Sequence, residues 1–309
     1  MDILPVLSAI LAQPTAPFRD DQVRAEIERL LAPCAHVTVE RDSFGNVIAE
    51  YRRGSRTPAF ALAAHMDHPA YVQGRFLGGV PERYRKTGTT REFGDFAMWD
   101  LPACEIAGDR VYSRACDDLV GCAAIVAAFL EMDRNQQEGA CLALFTRGEE
   151  VGFVGAIKLA KSGRIPRDVC IVSLETSSEL GGPGRMGEGV IVRVGDRTSI
   201  FDSAATATLL DFAAAAKIPA QRCLMAGGTC EATAYQLYGY RAAGMCVALG
   251  NYHNCGPDGK IAPEYVSLAD ANSMARLCVA IAGAGEVGDP HAMLRERLEE
   301  EMAEWEEFW

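Results

Sequence analysis

The stretch AFALAAHMD at residues 59–67 is a short apolar run that leads into a histidine and an aspartate. Further apolar, strand-like runs at 110–113, 141–146 and 244–250 each give way to a loop in the same manner. These loops carry the motifs Cys116-Asp117-Asp118, Gly148-Glu149-Glu150 and Asn251-Tyr252-His253-Asn254. In open α/β sheets, ligands bind beyond the carboxyl ends of parallel strands. We therefore predict that the four loops meet at one site.

The residue types in these loops indicate a metal site. Glu175 follows the apolar run 169–174 and adds a fifth candidate to the set. Histidine nitrogens and carboxylate oxygens suit zinc, cobalt or manganese, and a carboxylate between two ions can bridge them. Each motif alone is weak evidence, because short histidine and acidic motifs recur by chance. Their ordered placement at strand ends favours a pair of divalent ions over a set of solvated turns.

The order of the predicted elements indicates the fold class. Strands alternate with helices, which is typical of an α/β fold with a largely parallel mixed sheet and helices on both faces. Val23, Ile27, Leu30 and Leu31 form one apolar stripe of a helix that Pro33 ends. Further helices are predicted at 118–132, 151–161, 203–217, 231–238 and 266–284. A hairpin is predicted over 36–51.

Composition limits the classes of partner. The chain has 309 residues, of which 49% are hydrophobic and 23% charged, so it can bury a large core. Its net charge of −12 disfavours nucleic acid or an anionic membrane as the main partner. No apolar run approaches the length of a membrane span, and residues 1–13 read as a surface helix without the features of a signal peptide. The eleven cysteines lie mostly in apolar runs and contain no CxxC pair, which predicts reduced packing residues and a cytoplasmic protein.

Several longer segments carry a resemblance to a known group of enzymes. They are DSFGNVIA at 42–49, HMD at 65–67, ACDDLVGC at 115–122, TRGEEVGFVGA at 146–156, GGTCEA at 227–232 and the final His253. With these segments the chain resembles the zinc-dependent M42, M28 and M20 peptidases, and most of all the M42 glutamyl aminopeptidase and endoglucanase-like group. The matching segments run from about residue 42 to residue 255, which is most of the chain.

The resemblance implies two divalent ions, zinc first, with cobalt or manganese as alternatives. Asp117 would bridge the two ions through its two carboxylate oxygens. His65 and Glu175 would complete the shell of one ion, and Glu150 and His253 that of the other. In the resembling families the Asp117-Asp118 peptide bond is also cis.

Glu149 is predicted to be the general base and acid, because a carboxylate beside an acidified water can move its proton to the leaving nitrogen. Asp67 is predicted to act with it by accepting the far N–H of His65, unless it only caps a strand end. We interpret His68 as pocket lining and Arg147 as either a contact to a substrate carboxylate or a solvated side chain. In the resembling enzymes the loop 227–229 borders the substrate cleft.

The predicted activity is that of a metal-dependent aminopeptidase acting on short peptides. Glu175 departs from the pattern, because M42 and M28 enzymes usually have aspartate there and several M20 carboxypeptidases have glutamate. One alternative is therefore an M20-like N-acyl-amino-acid deacylase or carboxypeptidase with the same metal centre. The other is a catalytically silent binding or assembly protein, which the complete set of ligands and base disfavours.

Domain organisation and assembly are predicted from two segments. Residues 1–309 are expected to form one catalytic domain, with a reduced β-rich insertion at about 71–108 where M42 enzymes hold a whole domain used in dimerisation. At the acidic end, Leu294, Leu298, Met302 and Trp305 recur at helical spacing. This stripe is expected to dock on the body or on a second subunit, giving a homodimer or small homo-oligomer.

Overall fold

The structure of the protein is a computed structural model that describes residues 1–180, 182–289 and 291–309. In these residues the strands are, in chain order, β1 (Val37–Arg41), β2 (Val47–Arg53), β3 (Phe60–His65), β4 (Ala70–Val72), β5 (Arg75–Leu77), β6 (Thr90–Glu92), β7 (Phe96–Trp99), β8 (Glu105–Ala107), β9 (Arg110–Ser113), β10 (Gly139–Thr146), β11 (Cys170–Ser178), β12 (Val190–Gly195), β13 (Ala220–Leu224), β14 (Ala242–Leu249) and β15 (Glu264–Ser267). The α-helices are α1 (Leu4–Leu11), α2 (Asp21–Leu31), α3 (Glu82–Arg85), α4 (Leu119–Arg134), α5 (Val154–Ser162), α6 (Ser203–Ala215), α7 (Glu231–Leu237), α8 (Leu268–Gly283) and α9 (Ala292–Ala303).

Four apolar strands form the parallel centre of the main sheet. β10, β3, β11 and β14 lie side by side in this order, and each neighbouring pair is parallel. Nearly all of their residues are buried. Strands of a parallel sheet are covered on both faces, which explains why these segments are continuous apolar runs and not alternating patterns.

Antiparallel strands flank this parallel centre. β2 runs antiparallel to β10 and forms the predicted hairpin with β1, while β12 runs antiparallel to β14 and carries β13 at the far edge. Helices α1, α2, α4 and α8 contribute to the core on one face of the sheet, and α5 and α7 to the core on the other. The predicted α/β class, with a largely parallel mixed sheet and helices on both faces, is confirmed.

Helix α4 fixes the loop that contains the second motif. Asp118 is its N-cap, and one carboxylate oxygen accepts a hydrogen bond from the main-chain N–H of Gly121 at 3.0 Å. Such a cap satisfies a donor that the first turn leaves unpaired. The helix is buried over most of its length, so the residue before the cap, Asp117, is held against the sheet.

The sheet that one strand joins and the first residues of two helices differ from the predictions. The strand Arg110–Ser113 belongs to a separate antiparallel sheet, in the order β15, β9, β8, and not to the parallel centre. Val266 lies in β15, so the last large helix begins at Leu268. Helix α5 begins at Val154 and not at Val151, because Gly152 and Phe153 have φ angles of 111° and 58°, outside the helical region.

Residues between the first two motifs form a small sheet of their own. β5, β4, β7 and β6 pair antiparallel in that order, and α3 lies between β5 and β6. Tyr71, Phe76 and Trp99 make mutual aromatic contacts, with ring centroids 4.9 to 5.9 Å apart. β8, at the end of this segment, pairs with β9 instead.

The acidic C-terminal segment leaves its apolar stripe exposed. Leu294, Leu298, Met302 and Trp305 are between 44% and 60% exposed. Of the two predicted docking places, the body of the same chain leaves these side chains about half exposed, and docking on a second subunit stays a prediction. Among the described residues, the helices are too short or too polar to cross a lipid bilayer.

Candidate metal centre

His65 is the last residue of β3 and lies at the carboxyl edge of the parallel strands. It is buried, and its Nδ1 is 3.0 Å from the main-chain oxygen of Asp67. The carboxylate of Asp67 is farther away, with 3.9 Å between Nδ1 and Oδ1. An Nδ1–H donated to the carbonyl leaves the Nε2 lone pair free to bind a metal. Asp67 therefore orients His65 through its main chain, which corrects the predicted carboxylate contact.

The carboxylate of Asp67 instead holds the turn with the two glutamates. Its Oδ1 accepts a hydrogen bond from the N–H of Glu149 at 3.0 Å, and its Oδ2 accepts one from the N–H of Glu150 at 3.3 Å. Gly148 precedes them with a φ of 68°, and a Cβ there would lie 2.6 Å from the ring of Phe18. The turn is thus fixed by an acidic side chain on one side and close packing on the other.

Glu149 and Glu150 point to different histidines. Oε2 of Glu149 is 4.0 Å from Nε2 of His65, whereas Oε1 of Glu150 is 3.2 Å from Nε2 of His253. Burial, together with the charges of Glu175 and Glu150, raises the pKa of Glu149 well above its usual value. The two neighbours can therefore take different chemical roles.

Asp117 lies between the two histidines. Its Oδ1 is 3.5 Å from Nε2 of His65, and its Oδ2 is 3.6 Å from Nε2 of His253. Burial alone would raise the pKa of Asp117, but the contacts to His253 and His65 lower it. The Asp117-Asp118 peptide bond is cis. Asp117 reaches this place from the loop after β9, outside the parallel centre.

Glu175 and His253 complete the group of residues that the sequence singled out. Glu175 lies inside β11 and not in a loop after it, and its Oε2 is 3.8 Å from Nε2 of His65. Burial raises the pKa of Glu175 to about 8. His253 follows β14 with a φ of 51°, and its ring stacks on Tyr252 at a centroid distance of 3.8 Å.

The arrangement fits divalent metal ions. Potential ligand atoms of His65, Glu149 and Glu175, and those of His65, Asp117 and Glu150, lie within 4.8 Å of one another in each group. Buried oxygens of Asp117, Glu150 and Glu175 have no hydrogen-bond donor among the described residues. Unpaired buried carboxylates are costly, and coordination to a cation removes this cost. The nitrogen and oxygen donors suit zinc, cobalt or manganese.

Glu264 is a buried residue of the centre that the sequence analysis missed. Its Oε1 accepts a hydrogen bond from the N–H of His253 at 2.8 Å, and its Oε2 accepts from the N–H of Cys116 at 2.7 Å and of Asp117 at 3.2 Å. It ties the second and fourth motif loops together. A glutamate at the start of a short strand has no local signal for such a role.

Two further side chains have structural roles instead of the interpretations given above. His68 is completely buried, and its ring nitrogens lie 2.8 Å from the main-chain oxygen of Asp117 and 3.1 Å from Oδ1 of Asn254. Arg147 pairs with Asp20 at 2.7 Å. His68 is therefore not pocket lining, and Arg147 is neither solvated nor directed at a substrate.

A cleft of about 500 Å³ opens next to the centre. Its walls include His65, Asp117, Glu149, Glu175 and His253, and the loop 227–229 borders it as the resemblance implies. A polar cluster at the end of a concave cleft is the usual arrangement of an enzyme active site.

Comparison with known proteins assigns the chain to a family. A family model described as M42 glutamyl aminopeptidase matches residues 84–257, more than half of the chain. The matched segment contains Asp117, Glu150, Glu175 and His253. No curated protein sequence matches the chain significantly.

Solved structures share the fold at low sequence identity. A TET aminopeptidase from a marine sediment Thaumarchaeota archaeon has a TM-score of 0.77 and 18% identity, covering 94% of this chain and 99% of its own. An aminopeptidase from the archaeon Desulfurococcus kamchatkensis has a TM-score of 0.75 and 20% identity, covering 94% and 96%. The TET1 peptidase of Pyrococcus horikoshii, described as assembling into a tetrahedron or a large octahedral shell, has a TM-score of 0.74 and 20% identity, covering 91% and 99%.

Proposed function

The chain belongs to the M42 glutamyl aminopeptidase family and is a metal-dependent aminopeptidase, and we propose that it uses two divalent ions to remove N-terminal residues from short peptides. The observation that carries the two-ion proposal is the position of Asp117. Each of its oxygens faces a different histidine, at 3.5 Å for His65 and 3.6 Å for His253. A carboxylate shared in this way is suited to bridge two ions.

The remaining donors divide between the two histidines. His65 and Glu175 would hold one ion with Asp117, and Glu150 and His253 would hold the other. The distances from Nε2 of His65 to Glu175, 3.8 Å, and from Nε2 of His253 to Glu150, 3.2 Å, support this division. When bound, the ions would polarise the substrate carbonyl and make a water molecule more acidic. Zinc is the first choice, with cobalt or manganese as alternatives.

Glu149 is the proposed general base and acid. Its carboxylate lines the cleft, and its Oε2 is 4.0 Å from Nε2 of His65, so it lies beside the place where a water molecule activated by the ions would be held. It would take a proton from the attacking water and deliver it to the leaving amine nitrogen. Asp67 would position Glu149, since it accepts the N–H of that residue at 3.0 Å.

The family assignment does not favour the deacylase, carboxypeptidase or silent alternatives. Substrate assays separate them further. Protein loaded with zinc, cobalt or manganese is offered aminoacyl anilides, N-acyl amino acids and N-blocked peptides. Release of the N-terminal residue is expected, with two ions per chain by elemental analysis. Turnover of the N-blocked substrates alone would favour the M20-like reaction, and turnover of none would favour a binding protein.

We further infer the organisation and location of the protein. One catalytic domain with the segment 71–108 as a reduced insertion is supported by the small sheet that this segment forms beside the main sheet. A homodimer or small homo-oligomer is supported by the exposed stripe of Leu294, Leu298, Met302 and Trp305. A cytoplasmic location is supported by the eleven cysteines, all free.

A further inference from the structure

Helix α5 borders a groove of about 660 Å³ that shares no lining residue with the catalytic cleft. Val154, Ile157, Lys158 and Lys161 line it, at the spacing of one helical face. The helix residues between them pack into the core on the other side. Phe44 adds an aromatic ring, whose centroid is 4.9 Å from Nζ of Lys158. We call this surface, which combines apolar and basic side chains, the α5 groove.

The two lysines give the α5 groove a positive charge that is not neutralised nearby. Lys158 and Lys161 are exposed, and neither forms a salt bridge within the part of the chain that the structure describes. Arg164, at the end of the groove wall, pairs with Glu40. Asp42 also lines the groove, but one of its oxygens already accepts three main-chain N–H groups of the following turn. The groove is therefore suited to an acidic partner with an apolar face.

The C-terminal segment 292–309 has both of these properties. It contains seven glutamates and two arginines, and the arginines pair with Asp289 and Glu301. Every residue of 291–309 whose side chain the structure describes is exposed. A helix of 12 residues is marginal by itself in water, and helices of this length are normally stabilised by packing an apolar face. This segment therefore lacks the surface on which its apolar stripe would pack.

We propose that the C-terminal stripe of one chain docks in the α5 groove of a second copy. The inference rests on the homodimer or small oligomer proposed above and names its contact surfaces. The stripe would pack on Val154, Ile157 and Phe44. Glu299 lies three residues before Met302, and Glu301 lies three residues after Leu298, so the two glutamates flank the stripe. They would face Lys158 and Lys161.

Charge and symmetry favour this contact over the alternatives. Two stripes packed on each other would bring the glutamates of both segments together, and such like-charge contacts are unfavourable. No residue of 291–309 lines the groove within its own chain. Each chain can give one stripe and receive another, so two chains related by a two-fold axis would close a dimer with two identical contacts.

Charge reversal on each side tests the contact. Lys158→Glu/Lys161→Glu reverses the groove, and Glu299→Lys/Glu301→Lys reverses the flanks of the stripe. Each double variant should raise the dissociation constant of the dimer about 10- to 100-fold, because two exposed ion pairs become two like-charge contacts. The variant that combines all four changes should bind more tightly again, since opposite charges then face each other. Sedimentation equilibrium measures the constant.

A matched control places the same charge change elsewhere. Lys217→Glu/Lys260→Glu alters two exposed lysines outside the groove and should leave the dissociation constant unchanged. Thermal unfolding verifies that each variant folds.

Cross-linking of the wild-type protein gives a readout that needs no variant. Carbodiimide joins lysines to carboxylates without a spacer. In an equal mixture of isotope-labelled and unlabelled chains, cross-links from Lys158 or Lys161 to the segment 292–309 should join labelled to unlabelled peptides. Cross-links within single chains alone would place the stripe in its own groove and overturn docking on a second copy.

The outcomes separate this inference from the proposals on which it rests. An oligomer that neither charge reversal weakens, or a combined variant that binds no more tightly than the double variants, would overturn the groove contact and leave the oligomer in place. A monomeric wild type would overturn both. Neither result bears on the aminopeptidase reaction, which the substrate assays test.

Discussion

The carboxylate of Asp67 accepts a hydrogen bond from the main-chain N–H of Glu149, with 3.0 Å between Oδ1 and N. Its second oxygen accepts the N–H of Glu150 at 3.3 Å. A single buried side chain at the end of β3 thus holds the turn after β10 that carries the proposed base and a proposed ligand. Asp67 is a positioning residue: its side chain holds the two glutamates, and its main-chain oxygen is 3.0 Å from Nδ1 of His65.

Replacement of Asp67 by asparagine should impair this turn. The amide offers one acceptor oxygen and places an NH₂ group against the second N–H, so one of the two hydrogen bonds is lost. We expect kcat/KM to fall about 10- to 100-fold, as for other residues that orient metal ligands. Steady-state kinetics and metal content measure the effect, with Asp67→Ala as the more severe control. Wild-type kinetics in Asp67→Asn would contradict the positioning role.

Glu149→Gln should keep the fold and both ions but lose turnover. The amide is nearly isosteric with the carboxylate and cannot accept the proton, so kcat should fall about 10²- to 10⁴-fold. Elemental analysis and thermal unfolding verify that only the chemistry changes. Glu149→Asp, which keeps a shorter carboxylate, should retain more activity than Glu149→Gln. A metal-replete Glu149→Gln enzyme with normal kcat would require another base.

Glu264→Gln should loosen the contact between two loops of the metal centre. One carboxylate oxygen accepts a hydrogen bond from the N–H of His253, and the other accepts from the N–H groups of Cys116 and Asp117. The amide has a single acceptor oxygen, so either the first hydrogen bond or the other two are lost. We expect a loss of about 1–3 kcal/mol in the free energy of unfolding. Weaker metal retention against a chelator is expected as well. Glu105→Gln, at an exposed glutamate of β8 in the same three-stranded sheet as Glu264, is the matched control and should change neither quantity.

Asp196→Asn should be destabilising in a pH-dependent manner. Burial would raise the pKa of Asp196, but the hydrogen bond from Thr233 and those from main-chain N–H groups lower it below its usual value of 3.8. A lowered carboxyl pKa stabilises the folded state above the unfolded pKa, and this contribution disappears as the pH falls through the folded pKa. The difference in Tm between wild type and variant should therefore be constant near neutrality and shrink below a pH of about 4. A difference that grows in acid would contradict this role.

The exposed C-terminal stripe should hold the protein in a homodimer or small oligomer. Leu298 and Trp305 are 50% and 60% exposed, so replacing both by glutamate places charges on the apolar stripe without disturbing the core. This double variant should favour the monomer and keep its activity per chain. Light scattering on the eluting protein gives the mass directly. Leu237→Glu, at another exposed leucine, is the control. A monomeric wild type, or a stable dodecamer in dilute buffer, would contradict the prediction.

The sequence by itself determined the fold class and the position of much of the candidate centre. Short apolar runs that are continuous and end in polar residues are typical of strands covered on both faces, because a strand with one exposed face would carry polar residues at alternate positions. Once β10, β3, β11 and β14 are parallel strands of one sheet, their carboxyl ends lie at the same edge. The segments that carry His65, Glu150 and His253 then lie at that edge as well.

The tertiary structure decided which atoms meet. Asp117 follows β9, which belongs to a different sheet, and Glu175 lies in the middle of β11. The carboxylate of Asp67 accepts hydrogen bonds from the two glutamates and none from His65. Glu264 has no local signal, since its hydrogen-bond donors lie in segments distant in the sequence. Local periodicity encodes which face of an element is buried. The direction of a side chain, and the contacts between segments that are distant in the sequence, depend on the packing of the whole chain. These contacts could therefore not be predicted from the sequence.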